Sequence, residues 1–208
     1  MDQPQVIRTS LIDEGRTMRL QPDQWIYSEG DTESGIYGVL EGRLRVEAAV
    51  GQDRSVLLNI VGAGEFIGQA RAFGGGRRIV TARASGPATV LALSDASLAR
   101  IAQRQPDIWR VVSALVYAQL NGVVHLTALL LGLPPRMRIA ARLLALPTDG
   151  PVTCVTQEDL AEMCGLSRKA VNAHLKALMG EGLVRTGYGG VRVLSRSRLH
   201  QLVQSNSS

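Results

Sequence analysis

The chain has 208 residues, 45% apolar and 20% charged, which suffices for two domains of about 100 residues and is too apolar for a disordered chain. Its two cysteines, Cys154 and Cys164, exclude a disulfide-stapled scaffold and a four-cysteine metal cluster. The net charge of +5 is uneven: residues 1–131 balance 13 arginines against 13 acids, whereas residues 132–208 set 10 basic residues against 5 acidic ones.

A neutral half joined to a basic half fits a sensing or scaffold domain attached to a polyanion binder. A solvated basic face without a partner fits the charge equally well. The start, Met1-Asp2-Gln3-Pro4, lacks the basic-then-apolar run of a secretory signal, so a cytoplasmic setting is expected.

From about residue 16 to 94, short extended runs alternate with turn signals. The runs are Trp25-Ile26-Tyr27, Gly35 to Leu40, Leu44 to Glu47, Ser55 to Leu58, Ile79 to Ala82 and Thr89 to Leu93. Between them lie Glu29-Gly30-Asp31, Glu41-Gly42, Gly51-Gln52-Asp53, Gly62-Ala63-Gly64 and Gly74-Gly75-Gly76. This spacing predicts an antiparallel β-sandwich or roll of about eight strands.

Asp95 to Gln103 reads as a short helix, and Pro106 is placed to begin a second one from Asp107 to about Leu131. Apolar residues at Ile108, Val112, Val116, Leu120 and Val123 give that helix a buried seam. No Asp, Glu, Lys or Arg occurs from Val111 through Pro135, which also makes it a membrane-span candidate. Ser113, Tyr117, Gln119, Asn121, His125 and Thr127 are a heavy polar load for hydrocarbon. The preferred reading is a dimer helix, covered by its own β-domain on one side and by its copy on the other, with Val112, Val116, Leu120 and Val123 at the interface. No membrane association is then expected. Leu133-Pro134-Pro135 stops the helix. The expected organisation is a β-domain over 1–106, a dimerisation helix over 107–133 and a third segment over 134–208. Arg136 to Leu146 reads as a further helix, followed by a turn from Pro147 to Pro151.

The most specific stretch runs from Val155 to Val193. Thr156 can cap a helix whose first turn carries Glu158 and Asp159. Cys164-Gly165-Leu166 is a tight turn, and Ser167 caps a second helix from Arg168 to Met179. Helix, glycine turn and helix make a helix-turn-helix. Arg168, Lys169, Asn172, Ala173 and Lys176 share the outer face of the second helix. An arginine fork matches the two acceptors of guanine, and Lys176 is better placed for a phosphate. Leu183 to Thr186 and Val191 to Val193, joined through Gly187-Tyr188-Gly189-Gly190, read as a basic hairpin, a wing that includes Arg192. The expected DNA-contacting residues are Thr156, Gln157, Ser167, Arg168, Lys169, Asn172, Ala173, Lys176 and Arg192.

The chain resembles the Crp/Fnr family of bacterial transcription regulators. The resemblance covers nearly its whole length: Ser28-Glu29-Gly30-Asp31, Leu40-Glu41-Gly42, Gly64-Glu65-Phe66-Ile67-Gly68-Gln69, Gln105-Pro106-Asp107-Ile108, and Gly165-Leu166-Ser167-Arg168-Lys169-Ala170-Val171. It implies an α+β architecture with an N-terminal antiparallel β-roll, a long dimerisation helix and a C-terminal winged helix-turn-helix. It also implies a homodimer on a palindromic DNA site, and RNA polymerase as a further partner.

The family's cyclic-nucleotide pocket maps onto Gly68, Gln69, Arg77, Arg78, Ile79, Val123 and Val124. Gln69 replaces the ribose-holding glutamate, Arg78 stands for the phosphate-pairing arginine, and the bulky Ile79 would crowd a phosphate. Val123-Val124 replaces the adenine-reading hydroxyl pair, which would leave the base's polar edge unpaired at about 1–3 kcal/mol per group. Ordinary cyclic-AMP control is therefore not expected: no cofactor is assigned, and the remaining options are another ligand, including cyclic di-GMP, or none. No cysteine precedes Cys154 and no histidine precedes His125, so the family's cysteine-cluster and haem sensors, and any metal site on the β-roll, lack their ligands. Arg168 keeps the guanine-reading arginine, whereas Lys169 and Ala173 depart from the best-known member, so a different half-site is expected.

Cys154 and Cys164 read as small buried hydrophobes before a redox pair, and His174 as half-buried on the inner side of its helix. Gly74-Gly75-Gly76-Arg77-Arg78 reads as a phosphate cradle or a flexible hairpin tip. No nucleophile–base–acid set suggests an enzyme. Two other readings stay open: a nucleotide-binding module whose basic half binds a protein, and a membrane-anchored sensor.

Overall fold

The computed structural model describes residues 5–52, 54–73, 75–148, 152–153, 155–187 and 190–205. The chain forms two units, Met1–Ser55 with Ile60–Gly122, and Val56–Asn59 with Val123–Ser208. Cys154, Gly74, the tip residues Tyr188 and Gly189, and the centre of the turn before residue 152 lie outside the described residues.

The first unit opens with a helix not expected from the sequence, α1 (Gln5–Glu14). Ile7 and Leu11, one turn apart, are buried in a cluster with Ile36, Leu91, Leu93, Leu98 and Ile101. Eight strands follow: β1 (Arg16–Leu20), β2 (Trp25–Tyr27), β3 (Ile36–Glu41), β4 (Arg43–Ala49), β5 (Ser55–Gly62), β6 (Phe66–Ile67), β7 (Thr81–Ala84) and β8 (Ala88–Leu93). They make two four-stranded sheets, β1-β8-β3-β6 and β2-β7-β4-β5. Period-2 alternation explains the core: on β4, Leu44 and Val46 point inward, beside Ala82, Ala84 and Val90. The predicted run Ile79 to Ala82 begins two residues too early. The Arg78 amide donates to Asp31 O at 2.9 Å and its carbonyl accepts from Gly30 N at 2.8 Å. That ties the chain to the Gly30-Asp31 turn, and the strand starts only at Thr81.

Ser94 caps α2 (Asp95–Arg104), accepting from Ser97 N at 3.1 Å. The long helix α3 (Ile108–Gly132) follows. It is long and apolar enough to cross a membrane. Only its first turns are buried, through Ile108 and Val112. Val112 is therefore corrected as an interface residue: at 2% exposure it packs with Leu98, Ile101 and Ile108 in the core of its own unit. Val116 is half-buried, while Leu120 and Val123 are 59% and 55% exposed.

In the second unit Pro134 and Pro135 begin α4 (Pro135–Ala145), proline being suited to a first helical position whose amide has no partner. Then come β9 (Val152–Thr153), α5 (Gln157–Cys164), α6 (Arg168–Gly180), β10 (Val184–Gly187), β11 (Gly190–Val193) and α7 (Arg196–Gln204). The three strands form one antiparallel sheet in the order β10-β11-β9. Ile139, Leu143, Leu160, Leu175, Leu178 and Leu199, all fully buried, come from α4, α5, α6 and α7 and make the core.

Candidate nucleic-acid interface and effector pocket

The α5–turn–α6 element is fixed by local chemistry. The Thr156 hydroxyl accepts from Asp159 N at 3.0 Å and the Asp159 carboxylate accepts from Thr156 N at 2.9 Å, a reciprocal capping box. Gly165 stops α5 in the left-handed region, at φ 62°, which a side chain would resist. Arg138 on α4 donates to the Cys164 carbonyl at 2.8 Å and so braces the turn. Ser167 then caps α6, accepting from Ala170 N at 3.2 Å.

Val171, Leu175 and Leu178 are buried on the inner face of α6, and His174 is half-buried beside them. Arg168, Lys169, Ala173 and Lys176 are exposed on the outer face, with Asn172 half-buried at its margin. Arg168 and Lys176 are about 12 Å apart along the axis at 1.5 Å per residue. Among the described residues no hydrogen bond or ion pair engages the side chains of Arg168, Lys169 or Lys176. The face therefore presents unneutralised charge, two cations in the first helical turn and one farther along. Thr156, Gln157 and Ser167 lie at the two helix starts, where both hydroxyls serve as caps.

The wing is held against α6. Leu183 N donates to Leu178 O at 2.9 Å and the Thr186 hydroxyl to Met179 Sδ at 3.3 Å. Val184 and Val191 face inward, while Arg185 and Arg192 stand exposed and directly opposite each other on β10 and β11. Sequence reasoning singled out Arg192 and missed Arg185; its signal is the strand register, which places the two on one face.

In the first unit a cavity of about 150 Å³ is lined by Tyr27, Gly68, Arg71, Arg77, Arg78, Ile79 and Gln119, among others. Arg78 is 6% exposed. Its Nη1 donates to Gly68 O at 3.1 Å and its Nη2 to Gly35 O at 3.0 Å, and its guanidinium lies 4.1 Å from the centroid of Tyr27. Burial pushes the Tyr27 phenol up to about 12, so it stays neutral against that cation. Arg71 donates to Gly75 O and Thr32 O at 2.8 and 3.0 Å, and Arg77 to Gly30 O at 3.1 Å. All three arginines thus bond backbone carbonyls. Gly68, at φ +86°, leaves room for this: a Cβ there would stand 2.6 Å from Gly35 O and 2.8 Å from Arg78 Nη1.

Several pocket expectations need correcting. Gln69, 2% exposed, is not among the lining residues; its amide nitrogen reaches Leu115 O at 3.5 Å and its Oε1 has no partner. Ile79 is 73% exposed at the rim, so it does not crowd the interior. Val123 and Val124 stand exposed on α3 in the second unit, and the α3 residue lining the cavity is Gln119.

Among the described residues no group of three or more His, Cys, Asp or Glu side chains is placed to hold a metal. Cys164 is buried, and burial pushes its thiol up to about 11.

Residues 17–105 match the cyclic nucleotide-binding domain family, and residues 137–202 the Crp-like helix-turn-helix domain family. The chain is 30% identical over 181 residues to the cyclic AMP receptor protein of Thermus thermophilus, covering 85% of this chain and 83% of that protein. It is 25% identical over 197 residues to the nitrogen fixation regulation protein FixK of Bradyrhizobium diazoefficiens, covering 90% and 82%. The structure of FixK2 from Bradyrhizobium japonicum superposes with a TM-score of 0.79 at 20% identity, covering 90% of this chain and 96% of that one, a likeness of fold.

Proposed function

Because this chain belongs to the Crp/Fnr family of DNA-binding transcription regulators, we propose that it acts as a homodimer on a palindromic DNA site without needing cyclic AMP. The observation that carries the effector reading is the engagement of Arg78 by Gly68 O, Gly35 O and Tyr27. A cyclic phosphate would have to compete for a buried guanidinium whose two terminal nitrogens already bond carbonyls. The cavity, about 150 Å³, is also below the range of about 300–1,000 Å³ typical of small-molecule sites. The residues present do not fit a cyclic nucleotide, and no step is assigned to one.

In the DNA-bound state α6 enters the major groove. Arg168 reads guanine, Lys169 takes guanine or phosphate, Asn172 is suited to adenine, and Ala173 offers a small apolar contact. Lys176 and Arg192 take phosphates, with Thr156, Gln157 and Ser167 beside the backbone at the helix starts. Exposed Leu120 and Val123 support α3 as the dimer helix, which sets half-sites about one helical turn apart. RNA polymerase is the expected protein partner, in the cytoplasm.

A second reading, gating by cyclic AMP or cyclic di-GMP, is favoured by the cyclic nucleotide-binding match over 17–105. It requires a ligand that binds the DNA-competent arrangement more tightly than the other. Selection from random duplex DNA by purified, effector-free protein at near-physiological salt separates the two. Enrichment of a palindrome is the expected result. Enrichment only after adding cyclic AMP or cyclic di-GMP would overturn effector independence.

A further inference from the structure

Arg185 on β10 and Arg192 on β11 are cross-strand partners in the antiparallel register. Directly opposed side chains have their Cβ atoms about 5 Å apart and stand on the same face of the sheet. Both arginines are exposed, and among the described residues neither side chain has a hydrogen bond or an ion pair. Like charges in direct opposition destabilise a hairpin. Nothing on the described surface neutralises this pair, so the wing is built with a charge that its own fold leaves uncompensated.

The wing is also not free to move away from the reading helix. Leu183 N bonds Leu178 O, the Thr186 hydroxyl reaches Met179 Sδ, and buried Val184 and Val191 anchor the inner face of the hairpin. Placing α6 in a groove therefore also places the two guanidiniums, beyond the C-terminal end of that helix.

We infer that Arg185 and Arg192 together grip a single backbone phosphate of the bound duplex. The phosphodiester anion is the chemistry that suits them: two forks converging from adjacent strands match its unbridged oxygens, and its charge relieves their mutual repulsion. An arginine fork also matches guanine, so an altered half-site preference is the outcome that would mark base reading by the pair. The inference rests on the reading of α6 as the DNA-recognition helix, and it adds a contact that strengthens binding without specifying it.

The test uses the full chain, a duplex recovered by selection and an unrelated duplex, with affinities measured over a range of salt. R185Q and R192Q are each expected to weaken both duplexes about 3- to 10-fold with little change in salt slope, because the remaining arginine still neutralises the phosphate. R185Q/R192Q is expected to lower the slope of log K against log salt by about 1, the value for one lost phosphate contact, with half-site preference unchanged. Thermal melting is expected to show every variant at least as stable as wild type, which rules out misfolding as the cause. An unchanged double variant, a slope reduced by about 2, or an altered half-site preference would overturn the shared grip. Failure of the wild type itself to bind either duplex would instead overturn the DNA-recognition reading.

Discussion

The guanidinium of Arg78 lies 4.1 Å from the ring centroid of Tyr27 while its two terminal nitrogens donate to Gly68 and Gly35. One side chain thus fastens the end of β2, the residue before β3 and the residue after β6. Each terminal nitrogen thus gives one bond to the fold, while the buried Nε has no partner among the described residues. R78A would strand two carbonyls at about 1–3 kcal/mol each, so a fall of roughly 3 kcal/mol in unfolding free energy is expected by urea titration. R78K should recover only part of it, because an ammonium cannot stack on Tyr27 and bridge both carbonyls. Unchanged stability in R78A would mean that Arg78 is not structural.

On the proposed reading, base reading and phosphate binding should separate on α6. R168A should relax preference at one position of each half-site at a cost of about 1–3 kcal/mol. K176Q should weaken all duplexes alike and reduce the salt slope by about 1. Competition binding against single-base variants of the selected site checks both.

Leu120, 59% exposed on α3, is expected to be covered in the dimer. L120D would bury a charge in that seam, so sedimentation should find a monomer for the variant and a dimer for the wild type. An unshifted dimer would place the interface elsewhere.

Glu47, 8% exposed on β4, accepts from Arg83 and Arg45, each at 2.9 Å. Burial pushes its carboxyl up, but the bonds from Arg83 and Arg45 outweigh this and hold it below 4.5. A lowered folded value means stability that is complete above 4.5 and lost as pH falls through that value and the folded one. Urea midpoints should fall from pH 6 to pH 3, and E47Q should flatten that decline while being less stable at pH 6.

The reading half was largely legible because its signals are local. Thr156, Gly165 and Ser167 each act within four residues of themselves, so their types alone mark where α5 and α6 begin and end. Periodicity also found α3, but it reports a face and not what covers it, which is why Val112 was assigned to an interface and belongs to the core. α1 escaped notice because, among its described side chains, only Ile7 and Leu11 are buried, and no cap signal marks its start. The pocket was the least legible part. Arg78 is held by the carbonyls of Gly35 and Gly68, and a carbonyl acceptor leaves no trace in residue type. Arg185 needed the pairing register, which the sequence brackets with a turn but does not count out.

The space at Gly68 constrains how this pocket can drift over generations. Any side chain there meets Gly35 O and Arg78 Nη1 below 3 Å, on a backbone already at φ +86°. Replacing Gly68 while Arg78 remains therefore strains the backbone and dislodges the arginine in one step. Losing Arg78 first removes one collision and leaves the other with the Gly35 carbonyl. The carbonyl at position 35 is main chain and stays whatever residue stands there, so the constraint falls on Gly68 with or without Arg78, and the pocket can drift more readily at 78 than at 68.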